Sequence, residues 1–302
     1  LNLDQSTGVT NVVFGNKAFA SNADTIVLSG VTTAVGVTIQ DDAGHGSANA
    51  NNYTMTYSDA ATGTADTASV AVKMTTADGK LGNVTVANVE TVTVSASGGF
   101  DASYALVADA ATSITLNAAA DSLSTDTNVG AIDLAAAAAT SLTINASNDV
   151  TITDAGAATA KLFDVTANAE TATSQITLTT LTPTATATSD TFTVTAKGAG
   201  TVVYTAEDTD FGTQTATNSD SIVVDGSQNS GGVTADLDGV TGSGEPETLS
   251  VTGGSGNDTV LITAGALDDH DTIALGDGDG DTLQTTATYN SSHASADAFY
   301  AA

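Results

Sequence analysis

Apolar and polar residues alternate along much of the chain, in short runs that begin with an acid or a hydroxyl residue. A period of two places Val, Ile, Leu or Phe on one face and Thr on the other. This pattern predicts β-strands with a buried apolar face and a threonine-lined outer face. Runs that open with an acid are Asp24–Leu28, Glu90–Val94, Asp190–Val194, Asp220–Val224, Glu247–Val251 and Asp258–Ile262; runs without it are Ser113–Leu116, Ser141–Ile144, Thr151–Thr153 and Ser174–Leu178.

The spacing of these predicted strands is uneven. Residues at the centres of five strands lie 22, 28, 10 and 24 residues apart: Val92, Ile114, Leu142, Ile152 and Ile176. Repetition without a fixed period predicts an all-β fold, either an irregular β-solenoid or layered β-sandwich regions. The five alanines of Ala135–Ala139 are too few to sustain a helix alone, and we expect them to cover or pad a sheet.

A glycine- and aspartate-rich segment follows near the C-terminal end. Gly253–Leu261 reads GGSGNDTVL and matches the calcium-binding nonapeptide G-G-x-G-x-D-x-U-x in full. Glycines allow tight turns and offer carbonyl oxygens, and Asp258 supplies the hard anionic ligand that calcium prefers. Including the partial copies that follow, the candidate calcium ligands are Gly253, Gly254, Gly256, Asp258, Asp271, Asp277, Asp279 and Asp281.

The intervals between these acids do not fit a uniform parallel β-roll. Asp258 and Asp271 are 13 residues apart, and Asp271 and Asp281 are 10 apart, whereas a regular roll requires nine. We therefore expect an irregular calcium-binding segment. An EF-hand loop is disfavoured because Thr282 stands where its glycine belongs. The alternative is that these are surface turns with no bound ion.

Other acidic turns are open to the same two interpretations, as calcium ligands or as solvated loops. They are Asp41–Gly44, Asp78–Gly79, Glu207–Asp210 and Asp236–Gly239.

Composition limits the classes of function. The formal net charge is −30, from 35 acids against five lysines and no arginine. Phosphate recognition depends on basic side chains, so nucleic acid and anionic membrane surfaces are disfavoured as partners. So acidic a chain repels itself unless cations intervene, which favours a divalent-ion binder. There is no cysteine, and no apolar stretch is long enough for a membrane-spanning helix.

Composition also divides the chain into three predicted regions. Residues 1–84 form an N-terminal β region with long polar loops, and residues 85–240 carry the Thr/Ala-rich strand series. Residues 241–302 hold the Gly/Asp-rich segment with the predicted calcium ligands.

Signatures of catalysis are absent from the sequence. The three histidines, His45, His270 and His293, form no H-E-x-x-H pair, and no G-x-S-x-G elbow or cysteine nucleophile occurs. An enzyme of the parallel β-helix type that acts on polysaccharides is the catalytic alternative, since 35 acids provide candidate carboxylate pairs. The absence of arginine and tryptophan argues against a cleft for acidic or stacked sugars. We therefore expect a protein that is not an enzyme.

The GGSGNDTVL segment resembles the RTX family of secreted bacterial calcium-binding proteins, over nine uninterrupted residues. Together with Thr/Ala-rich strands such as Asn88–Val94 and the acidic turns, the chain resembles an RTX-like bacterial surface-layer protein. The resemblance implies export by a one-step route read from a C-terminal signal (type I secretion), and no N-terminal signal peptide is recognisable. It also implies self-assembly into a calcium-dependent lattice at the bacterial cell surface, with Ca²⁺ as the bound ion.

Besides the polysaccharide-acting enzyme, one further interpretation of the function stays open at this stage. The chain can be a calcium-stiffened adhesin, matrix fibre or surface filament whose units join end to end. For the lattice and the filament alike, the expected partners are copies of the chain itself, with cell-surface polysaccharide as a second partner class.

Overall fold

The computed structural model of the chain describes residues 1–15, 25–40, 51–58, 60, 65–73, 81–97, 104–119, 128–154, 162, 164–179, 181, 191–207, 221–240, 248–263, 267 and 270–285. Every helix or strand within these ranges is a β-strand. The chain forms two compact units, Leu1–Thr159 and Ala160–Ala302. The three regions suggested by composition stay a prediction.

In the first unit, successive strands alternate between two parallel sheets, so each strand pairs with the next but one along the chain. One sheet contains, in order, β1 (Asn11–Phe14), β3 (Gly36–Gln40), β5 (Thr67–Lys73), β7 (Thr91–Ser97), β9 (Ser113–Ala119) and β11 (Ser141–Ala146). The other contains β2 (Thr25–Val31), β4 (Asn52–Tyr57), β6 (Val84–Ala87), β8 (Tyr104–Val107), β10 (Asn128–Ala135) and β12 (Asp149–Asp154).

The second unit follows the same rule. One sheet contains β13 (Asp164–Ala169), β15 (Thr191–Gly198), β17 (Ser221–Asn229), β19 (Thr248–Thr252) and β21 (Thr272–Ala274). The other contains β14 (Gln175–Thr179), β16 (Thr201–Glu207), β18 (Val233–Gly239), β20 (Thr259–Ile262) and β22 (Thr282–Thr285).

This architecture is a β-solenoid, in which each coil contributes one strand to each of two sheets. It confirms the all-β prediction and decides between the two architectures that the sequence left open. A sandwich pairs antiparallel strands joined by hairpins or Greek-key connections, whereas here neighbours in a sheet are parallel and one coil apart.

The uneven strand spacing has a simple origin in the coils. The intervals of 22 and 28 residues are whole coils, because Ser95, Asn117 and Asn145 stack in one sheet at those separations. The interval of 10 residues from Leu142 to Ile152 crosses from β11 to β12 within one coil. Variable turns thus change the length of a coil without disturbing the strand register.

Alternation within the strands builds the core. Alternate residues of β7, β9 and β11, including Val92, Ile114 and Leu142, expose no more than a few per cent of their surface to solvent. Each Val, Ile or Leu among them contributes roughly 1.5–3 kcal/mol by leaving water. The intervening Thr, Ser and Asn residues form ladders on the outer face, where Asn145 donates to Asn117 Oδ1 at 2.9 Å.

The alanine run is part of this core and not a helical turn. Ala135 ends β10, and Ala136 and Ala139 are fully buried where the chain passes to the next strand. Small side chains suit this corner because the backbone lies close to the core.

In the described ranges, no helix is long and apolar enough to cross a membrane.

Candidate calcium-binding segment

The Gly/Asp-rich segment forms stacked turns at one end of β17–β22. Thr234, Thr259 and Thr282 pair in register, so the turns that precede them lie one above another. Asp277 N donates to Gly254 O at 2.9 Å, and Thr282 N donates to Asp258 O at 2.8 Å. The 13- and 10-residue intervals between the acids are two parts of one coil of 23 residues, which is much longer than a nine-residue roll turn.

The three motif glycines lie where consecutive turns touch. A Cβ on Gly254 would lie 2.6 Å from Gly226 O and closer still to Asn229 O. A Cβ on Gly253 would overlap Leu275 O, and one on Gly256 would overlap Gly232 N. Real Cβ contacts do not fall in this range, so close packing between backbones accounts for glycine at all three positions.

Asp258 is the most buried of the acids predicted as ligands, with 2% of its surface exposed. Its Oδ1 accepts a hydrogen bond from Val233 N at 2.6 Å, and its Oδ2 accepts one from Gly254 N at 2.8 Å. Its own backbone N donates to Asp281 Oδ1 at 2.8 Å. The carboxylate therefore holds two backbone amides from two different coils.

The electrostatic environment of Asp258 opposes its negative charge. Burial raises the pKa of its carboxyl above the ordinary value, the hydrogen bonds from Val233 and Gly254 counteract part of that rise, and the nearby charge of Asp281 adds to it. A neighbouring cation would relieve both unfavourable effects.

Asp271 and Asp281 make contacts of the same kind. Asp271 Oδ1 accepts from Leu249 N at 2.7 Å, and Asp281 Oδ1 accepts from Asp258 N at 2.8 Å. Both side chains are half-buried and point back to the preceding coil.

Asp277 and Asp279 differ from these acids because they are exposed on the turn between β21 and β22. This turn joins two strands, in agreement with the argument against an EF-hand, whose loop joins two helices. Among the residues that the structure describes, no three His, Asp or Glu side chains lie close enough together to hold one metal ion.

The donor chemistry of the segment suits calcium, although its carboxylates do not converge on one point. Calcium takes six to eight oxygen ligands, including backbone carbonyls and water. Within one chain, an ion at this turn would rely on carbonyls and water in addition to Asp277 or Asp279.

Sequence reasoning missed one residue of these turns, Asn229. It is 2% exposed, and its Nδ2 donates to Gly200 O at 2.9 Å while its Oδ1 accepts from Gly232 N at 2.7 Å. Its side chain thus joins consecutive turns through backbone groups. The signal for it is the sequence Asn-Ser-Gly-Gly, in which a turn-forming Asn precedes two glycines.

The remaining acidic turns have different outcomes. Asp236–Gly239 is the end of strand β18 and not a turn. Of the turn predicted at Glu207–Asp210, Glu207 is the last residue of β16 and the rest lies outside the described residues. Asp41–Gly44, Asp78–Gly79, His45 and His293 also lie outside them. His270 is exposed beside the start of β21.

The fold and these turns define the chain as a β-solenoid with a Gly/Asp-rich C-terminal set of coils. Comparison with models of protein families, with curated proteins and with solved structures found no match.

Proposed function

We propose that this protein is a secreted structural protein that self-assembles in the presence of calcium into a lattice on the bacterial cell surface. The observation that carries the proposal is the division among the acids of the Gly/Asp-rich coils. Asp258, Asp271 and Asp281 bind backbone amides, whereas Asp277 and Asp279 present their carboxylates to solvent.

Outward carboxylates on a chain of net charge −30 create a barrier to self-association. Calcium held between copies of the chain removes that barrier and adds directional contacts, because each ion recruits oxygen ligands from both partners. Assembly would then be suppressed where calcium is scarce, as in the cytosol, and would follow export into millimolar calcium. The resemblance to RTX-like surface-layer proteins, with type I secretion, supports this sequence of events.

The test is a calcium titration of the purified chain after treatment with a chelator. Light scattering and analytical ultracentrifugation would report assembly, and circular dichroism would report β structure. We expect particle size to rise at millimolar calcium and to fall again on chelation. An identical size distribution in calcium and in chelator would contradict calcium-dependent assembly.

Two matched double variants locate the effect. D277N/D279N removes both exposed carboxylates of the turn, and we expect it to need roughly tenfold more calcium for assembly, because affinity depends on ligand charge. D109N/E170Q removes two exposed acids elsewhere, so it changes net charge equally without changing this turn. Equal shifts in both variants would assign the effect to general charge repulsion.

Electron microscopy separates the lattice from the main alternative. Two-dimensional sheets support a surface layer, and single filaments support a calcium-stiffened adhesin, matrix fibre or filament. That the chain is not an enzyme stays a prediction. Turnover in a screen of acidic and neutral polysaccharides would contradict it.

A further inference from the structure

Four acids in the described parts of both units make one recurring contact. Each stands immediately before a threonine at or next to the start of a strand, as in Glu90-Thr91 and Asp258-Thr259. Each carboxylate accepts the backbone N–H of the residue at the same position one coil back. The pairs are Glu90 with Asp66 N at 3.0 Å, Asp258 with Val233 N at 2.6 Å, Asp271 with Leu249 N at 2.7 Å and Asp281 with Asp258 N at 2.8 Å.

The geometry of a parallel sheet explains why an acid is needed there. The N–H and C=O of one residue point to the same neighbouring strand, and each finds its partner on that strand. Asp66 O accepts from Thr91 N at 2.9 Å. The N–H of Asp66 faces the coil that contains Glu90, at a point before strand β7 begins. The backbone there offers this N–H no acceptor, and the Glu90 carboxylate supplies one.

The same pairing occurs at the C-terminal coils. Asp258 O accepts from Thr282 N at 2.8 Å, and Asp258 N donates to Asp281. Glu90 and Asp281 therefore have equivalent roles in different units, although Glu90 lies far along the chain from the glycine-rich motif. The contact belongs to the fold and not to that motif.

From these contacts we infer that Glu90, Asp258, Asp271 and Asp281 are inter-coil clamps, each of which completes the backbone hydrogen bonding of the preceding coil with its carboxylate. The clamps act without an ion, because every partner is a backbone amide of the chain. This goes beyond the proposed function, since it assigns Asp258 a positioning role whether or not calcium binds. Asp258 is the central clamp because it joins amides of two coils and is itself held by Asp281.

Substitution of Asp258 by Asn tests whether its carboxylate acts as a clamp or only as a calcium ligand. In D258N one side-chain atom becomes an NH₂ group, so it meets the Val233 or Gly254 amide as donor against donor. Asp281 accepts only one backbone hydrogen bond, from Asp258 N, and the side-chain oxygen that remains in D281N can still accept it. Both variants lose one charge, so D281N is the matched control.

The readout is thermal unfolding by circular dichroism in excess chelator, where no calcium effect contributes. We expect D258N to lower the unfolding midpoint by roughly 3–10 °C and D281N by much less. Hydrogen exchange should quicken at Val233 and Gly254 in D258N. Midpoints for D258N and wild type that coincide in chelator, with a difference only in calcium, would overturn the inference.

A second pair in the other unit keeps the inference testable if D258N does not fold. E90Q retains an oxygen acceptor for Asp66 N, and E90A removes it. We expect E90A to lower the midpoint and to speed exchange of the Asp66 amide, with E90Q close to wild type. Equal behaviour of E90A and E90Q would show that the carboxylate contact does not stabilise the coil and would overturn the inference.

Discussion

Gly254→Ala is the sharpest test of how the Gly/Asp-rich coils pack. The added Cβ would lie 2.6 Å from Gly226 O and nearer to Asn229 O, whereas ordinary contact begins near 3.4 Å. The obstructing atoms are backbone atoms of the preceding coil, so no flexible side chain can move aside. The turns must separate by about 1 Å or more, which carries hydrogen bonds of ordinary length beyond their useful range.

Displacing Gly254 strains three hydrogen bonds, one to the preceding coil, one from the following coil and one within its own turn. Ser255 N donates to Asn229 O at 3.1 Å, Asp277 N donates to Gly254 O at 2.9 Å, and Gly254 N donates to Asp258 Oδ2 at 2.8 Å. Two neutral bonds at about 1 kcal/mol each and one charged bond at about 2 kcal/mol give a loss of about 4 kcal/mol. The corresponding fall in the unfolding midpoint is about 10 °C for a domain of this size.

The assay is urea and thermal unfolding of the purified protein in chelator, followed by circular dichroism. Gly15→Ala is the control, because the nearest atom to its Cβ is Gln40 Oε1 at 3.8 Å and the substitution meets no obstruction. We expect Gly15→Ala to unfold like wild type. A Gly254→Ala protein within about 1 kcal/mol of wild type would refute the close packing of these turns.

Two further predictions concern the second unit. Burial raises the pKa of Asp236, a side-chain hydrogen bond with Asp238 and its charge add to the rise, and the Asp238 amide opposes it. The folded state therefore binds this proton more tightly than the unfolded state, so stability is lost as pH rises through the folded pKa. D236N should therefore be more stable than wild type at neutral pH. A pH series of urea unfolding curves should show the difference vanish below the ordinary pKa of an aspartate carboxyl, and a constant difference across pH would contradict this. Phe192 is fully buried with its ring 5.7 Å from that of Tyr204, so Phe192→Ala should cost about 3–5 kcal/mol in urea unfolding, and a loss below about 1 kcal/mol would contradict the described core.

Much of the local structure follows from the sequence alone. Val92, Ile114 and Leu142 alternate with hydroxyl residues, and the structure places each in a strand with its side chain in the core. The prediction succeeds because strict alternation of apolar and polar residues matches a β-strand with one buried face and does not match a helix. The sequence also predicts that the glycines of Gly253–Gly256 allow tight turns. The structure adds a second reason for glycine there, because a Cβ would overlap the backbone of a neighbouring coil.

Tertiary structure decided how the strands combine. Intervals of 10 to 28 residues look irregular in sequence because they mix steps within a coil with steps between coils. Pairing partners lie a whole coil apart, and a local pattern carries no information on which distant strand supplies the next hydrogen bonds. Only the assembled sheets distinguish a parallel solenoid from a sandwich.

The roles of the acids divide in the same way. Composition and the GGSGNDTVL motif by themselves determined that this chain is strongly acidic and that its C-terminal acids stand beside turn glycines. The fold alone separated Asp258, whose carboxylate binds amides of two coils, from Asp277 and Asp279, which face solvent. The physical reason is that an acid's partners across coils are set by strand register, and register is fixed by the packing of the whole sheet.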